Sequence, residues 1–142
     1  MDSPSEATIP ANRLPPDPLE LKLHASGLTS LNTFTGYGAG FVLINAVRHE
    51  GNLIVMPELL QPWDAGGFEA LKPGDFAGLV SLKPEVVLLG TGEKIRFPHP
   101  RLTRALAEAR IGVEIMDNQA ACRTYNILMA EERKVAAALL FR

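Results

Sequence analysis

The run Glu85-Val86-Val87-Leu88-Leu89-Gly90 constrains this chain more than any other stretch. Four consecutive large apolar residues closed by a glycine leave no polar face, so the segment predicts a strand buried on both sides. Such a strand needs cover above and below, and the sequence after it supplies helical patterns. Pro98 and Pro100 open a helix in which Leu102, Ala105, Leu106 and Ala109 recur at the spacing of one buried face, and Gly112 ends it. Val113 to Met116 predicts a second buried strand. Asp117 and Asn118 offer N-caps to a helix whose Ala121, Tyr125, Leu128 and Met129 share a face, and Lys134 to Phe141 reads as a closing strand. Strand, helix, strand, helix, strand predicts an α/β layered fold with at least one right-handed parallel crossover.

The first half has a different rhythm. Residues 1–27 scatter Pro4, Pro10, Pro15, Pro16 and Pro18 among polar side chains and predict a disordered tail, leaving 28–142 as a single α/β domain. Phe41 to Val47 predicts a strand, Gly51-Asn52 a hairpin turn into Leu53 to Met56, and Phe68 to Leu71 a third short strand. Together these make a small antiparallel β unit. Asp75 to Leu82 predicts a short helix. Gly36, Gly38 and Gly40 alternate, a pattern that leaves room for a backbone or an aromatic ring to pack close. Trp63 is expected either to plug the β unit or to stand exposed as an anchor for a partner.

Charge and cysteine content narrow the function. The net charge is −2, with an excess of five negative charges in residues 1–71 and of three positive ones in 72–142. That asymmetry is too shallow and too dispersed for a nucleic-acid footprint. A single cysteine excludes an internal disulfide framework and fits a cytoplasmic protein. No apolar run approaches the roughly 20 residues of a membrane-spanning helix, and the first 20 residues hold no apolar core of a secretory signal.

Loops leaving the C-terminal ends of neighbouring parallel strands open on one edge of a sheet, where ligands gather. This puts Gly90, Thr91 and Gly92 beside Asp117 and Asn118, with Cys122 and Arg123 in the next helix and Arg96 close in sequence. Backbone N–H groups near the glycines, the helix N-terminus and the two arginines could receive an anion or a partner's carboxylate. The plainer reading is that the glycines make a tight strand exit. Cys122 is expected to be a buried core thiol; the alternative is a nucleophile activated by the helix N-terminus and Arg123. His24, His49 and His99 stand apart from it, and no spacing suggests a metal site. Tyr125 is expected as a core ring with its hydroxyl satisfied at the edge, and Asn126, a poor helix former, as an amide with a specific partner.

Gly36-Tyr37-Gly38, Val87-Leu88-Leu89-Gly90-Thr91-Gly92 with Arg96-Phe97-Pro98, Val113-Glu114-Ile115-Met116-Asp117 and Ala120-Ala121-Cys122-Arg123-Thr124-Tyr125-Asn126-Ile127-Leu128 together resemble the domain-of-unknown-function 498 family over residues 28–142. The resemblance implies three layers: a central mixed sheet, helices on one face, and a small antiparallel β unit on the other. It also implies no accepted catalytic activity, cofactor or metal, since the family includes a non-enzymatic mitochondrial assembly factor of respiratory complex I. Many relatives carry Thr where this chain has Asn118. The expectation is therefore a non-enzymatic, assembly-factor-like module that binds a protein partner, not nucleic acid, and does not span a membrane. The candidate surface is Gly90, Thr91, Gly92, Arg96, Asp117, Asn118, Cys122, Arg123 and Tyr125. The rival expectation is a small anionic-metabolite binder or enzyme using the Gly90–Gly92 and Cys122 crevice. A homodimer through the β unit is a third.

Overall fold

The structure, a computed structural model, describes residues 31–142. The expectation for residues 1–27 lies outside the described residues. Two sheets form the framework. The smaller is antiparallel: β1 (Phe34–Gly38), β2 (Phe41–Ile44) and β3 (Val47–His49), in that order. The larger runs β5-β4-β8-β6-β7, made of β4 (Leu53–Met56), β5 (Leu59–Pro62), β6 (Val86–Gly90), β7 (Gly112–Met116) and β8 (Val135–Leu139). Three α-helices complete the described chain: α1 (Pro73–Val80), α2 (Arg104–Glu108) and α3 (Asn118–Ala130).

β6 pairs in parallel with both β7 and β8, while β4 pairs antiparallel with β5 and β8, so the central sheet is mixed. Every residue of β6 and β8 is buried, as the apolar run Val86–Gly90 predicts for a strand covered on both faces. Their side chains divide strictly by parity. Val86, Leu88, Val135, Ala137 and Leu139 join α3 and the small sheet in one core. Val87, Leu89, Ala136, Ala138 and Leu140 join α1 and α2 in the other. The three expected layers are present, and α3 shares its face with the small sheet. Chain direction explains this. The crossover β6–α2–β7 steps one way along the sheet and β7–α3–β8 steps back past β6, so a common handedness requires their helices on opposite faces.

Three segments of the first half differ from the sequence reading. The apolar stretch expected as one strand from Phe41 to Val47 breaks at Asn45 and Ala46, both at positive φ (49° and 69°), which pair Ile44 with Val47 across a two-residue hairpin loop. Asn45 tolerates that conformation, and its side-chain Oδ1 accepts from the Thr33 N–H at 3.1 Å. Gly51-Asn52 accordingly makes no hairpin. Buried Asn52 carries the chain between the sheets: its amide donates to the Gly66 carbonyl and accepts from the Phe141 N–H at 2.8 Å. Phe68–Ala70, expected as a strand, is a 3-10 turn, and the strand of that region is β5, ending at Pro62 on the sheet's edge.

Trp63 is a plug, though under the helices rather than the β unit. Its ring meets Phe76 of α1 edge to face at 5.7 Å, and its indole N–H donates to the Asp75 carbonyl at 3.2 Å.

Candidate functional site

The parallel pair β6 and β7 sets Gly90 opposite Met116, so the two strand exits leave the sheet side by side. Backbone bonds tie them: the Thr91 N–H donates to the Met116 carbonyl at 3.0 Å, and the Asn118 N–H to the Gly92 carbonyl at 2.9 Å. A common rim therefore exists, and most of its polar side chains are committed to building it.

Asp117 caps α3, its Oδ1 accepting from the Ala120 N–H at 2.9 Å. Asn118, expected as a second cap, does something else. Its Oδ1 accepts from the Gly92 N–H at 3.1 Å and its Nδ2 donates to the Leu140 carbonyl at 2.9 Å, clamping the exits of β6 and β8 together. Gly90 is where this clamp demands a glycine, because a Cβ there would run into the Asn118 side chain. Gly92 turns the chain at φ 100°, where side-chain-bearing residues are strained. Buried Thr91 donates its hydroxyl to the Lys94 carbonyl at 2.7 Å and accepts from the Arg96 N–H at 2.9 Å. Arg96 folds back over this turn. Its guanidinium donates to the Thr91 carbonyl at 2.7 and 3.1 Å and to the Arg142 carbonyl at 3.2 Å, and lies 4.5 Å over the Phe68 ring.

Cys122 and Tyr125 face the core. Cys122 is buried, and that burial pushes its thiol well above the ordinary value of 9.0, outweighing the opposing Arg123 charge, while Asp117 adds to the rise. Burial governs this thiol more than the helix N-terminus does, as expected of a core cysteine. Tyr125 packs edge to face on Phe34 at 5.0 Å and donates its hydroxyl to the Asn32 carbonyl at 2.9 Å, with burial raising its phenol too. Arg123 is exposed and donates to the Tyr37 hydroxyl at 3.1 Å.

That last contact marks what sequence reasoning missed. The β1–β2 hairpin leans over the rim and encloses a groove of about 430 Å³, lined by Tyr37, Gly38 and Phe41 from the hairpin and by Gly92, Asn118 and Gln119 from the rim, among others. The one available signal was the alternating glycines: at Gly38 a Cβ would collide with the Phe41 ring, the close aromatic approach their spacing implies. Nothing local indicated that the hairpin would sit above the strand exits. A more apolar groove of about 510 Å³, with Leu31, Met56, Leu59, Leu82 and Met129 among its lining, lies by the β4–β5 turn and the C-terminal end of α3. Among the described residues no three His, Cys, Asp or Glu side chains gather as metal ligands, and no helix is long and apolar enough to cross a membrane.

The family model described as protein of unknown function (DUF498/DUF598) matches residues 34–140. A bovine relative, NADH dehydrogenase [ubiquinone] 1 alpha subcomplex assembly factor 3, is 33% identical over 103 residues, covering 71% of this chain and 55% of the bovine one. The chain thus spans about half the length of that relative. An uncharacterised protein of Rhodobacter capsulatus is 37% identical over 107 residues, covering 74% of this chain and 81% of its own. A crystal structure from Bordetella parapertussis superposes with a TM-score of 0.71 at 42% identity, covering 78% of this chain and 96% of that one.

Proposed function

Because the chain belongs to the DUF498/DUF598 family, we propose that it is a non-catalytic, protein-binding module of the assembly-factor kind, serving a membrane-associated respiratory complex from the cytoplasm. The observation that carries this reading is the match to relatives named as assembly factors of NADH dehydrogenase, over 71% of this chain for the bovine one. The site's chemistry supports it. The rim's acid, amide and inner arginine are bonded to backbone and its one thiol is buried, so the groove offers shape and hydrogen-bonding surface rather than a nucleophile and its base. Tyr37, Gln119 and Arg123 are the side chains placed to meet a partner there.

Deletion of the gene should lower assembled respiratory complex I on native gels. The parent chain should restore it, and a folded Gln119→Arg chain, whose bulk fills the groove, should not. Normal complex I in the deletion strain would remove the proposal.

A further inference from the structure

The loop leaving β6 inverts the usual arrangement of a surface segment. Arg96 points inward, while its neighbours Ile95 and Phe97 point out and are 48% and 72% exposed, Phe97 being the most exposed large apolar side chain among the described residues. This exposure does not come from a loose loop. The hydroxyl of Thr91 holds the Lys94 carbonyl on one side of Ile95 and the Arg96 N–H on the other, and the Arg96 guanidinium is anchored on two carbonyls. Pro98 follows directly and restricts Phe97 to extended backbone. The fold thus pays to hold two apolar side chains in water.

The segment that carries them is basic in sequence. From Thr91 to Arg104 there are four basic residues, Lys94, Arg96, Arg101 and Arg104, against the single acid Glu93, in a chain whose net charge is −2. Lys94, Arg101 and Arg104 are exposed, as is His99. We propose that this loop is a peripheral docking point for an anionic phospholipid surface, with Ile95 and Phe97 entering the headgroup boundary and Lys94, Arg101 and Arg104 meeting the lipid phosphates.

Two physical arguments favour a bilayer over a protein. Ile95 and Phe97 expose on the order of 200 Å² of side chain, far below the ~800 Å² a stable protein partner would cover on this side. A membrane needs less, because a shallow apolar wedge and a few cations reinforce each other without any matching pocket. The proposal stands on this loop alone and does not depend on the groove's role.

Vesicle flotation tests it. At low salt the full chain should float with phosphatidylcholine vesicles containing phosphatidylglycerol, and several-fold less with phosphatidylcholine alone. Phe97→Ser should lower recovery about tenfold and each of Lys94→Gln and Arg101→Gln about fivefold. Added salt should weaken recovery. Since Phe97 is largely exposed, the Phe97→Ser chain should melt with the parent, which separates lost docking from lost folding. Phe97→Trp should show a blue-shifted emission only with phosphatidylglycerol present, over the constant signal of buried Trp63. Failure of the parent chain to float at low salt would overturn the proposal. So would equal recovery of Phe97→Ser and parent, or a loop that captures an acidic protein while ignoring vesicles.

Discussion

The two faces of the central sheet are covered by different means. Beneath α1 and α2 the cover is almost wholly apolar: Leu79, Phe76, Leu102, Leu106 and Trp63 press on Val87, Leu89, Ala136 and Ala138, with the indole N–H the polar exception. On the other face the small sheet has no strand bonded to the central one and is latched by α3 instead. Asn126 is the principal latch. Its Oδ1 accepts from the Phe34 N–H at 3.0 Å and its Nδ2 donates to the Phe34 carbonyl at 2.8 Å. A single amide thereby stands where a neighbouring strand would, on the outer edge of β1. Tyr125, one residue earlier, adds a third bond, to the Asn32 carbonyl. A layer that closes by apolar packing needs only the right volumes. A β layer added beside a helix also has backbone groups to satisfy, and here two adjacent polar residues of α3 do so.

This contrast can be broken from either side. The largest effect is expected on the apolar face, where Phe76→Ala should lower stability by about 3–5 kcal/mol in urea unfolding, because the cavity lies under both α1 and Trp63. Asn126→Ala should cost about 2 kcal/mol by leaving the Phe34 N–H and carbonyl without their partner. Its signature is location: hydrogen exchange should quicken in β1 and β2 while β6 and β8 stay protected. Uniform quickening would mean that the amide latches nothing in particular.

The buried acids of α3 give a pH test of the same face. Folding raises both the Cys122 thiol, from 9.0, and the Tyr125 phenol, from 10.0. Above those values the unfolded chain loses protons the folded one keeps, so stability is full below pH 9 and falls as pH rises further. The slope should be about 1.4 kcal/mol per pH unit for each group. Cys122→Ala should remove the part that begins near pH 9 and leave the tyrosine's. In the folded protein the thiol should resist alkylation below that range; rapid labelling at neutral pH would contradict its burial. Smallest of all, Arg123→Ala should change stability by no more than about 0.5 kcal/mol, its side chain being exposed. Loss of partner capture in that variant with an unchanged melt would tie the hairpin overhang to binding.

Much of this was legible because it is local. The apolar run of β6, the helical stripe through Ala121 and Tyr125, and the awkward Asn126 each announce burial or a bonding need through composition and spacing. The rim was legible too, since parallel neighbours must open on one edge. The hairpin at Asn45-Ala46 was not, because the loop interrupts an apolar stretch with only one residue of turn-forming character. Asn118 was misread as a cap for a similar reason: its partners, Gly92 and Leu140, lie 26 and 22 residues away.

The amino-acid order therefore settled which segments of the second half are strands and helices, which of their faces are apolar and that two strand exits lie together, because periodicity records each segment's own need for cover. The folded arrangement decided that β8 inserts between β4 and β6, that α3 joins the small sheet's face, and that the β1–β2 hairpin roofs the rim. Those choices rest on contacts between residues far apart in the chain, where the small side chains Ala136, Ala137 and Ala138 let layers approach on both sides. No local pattern encodes which distant surface will fill that space.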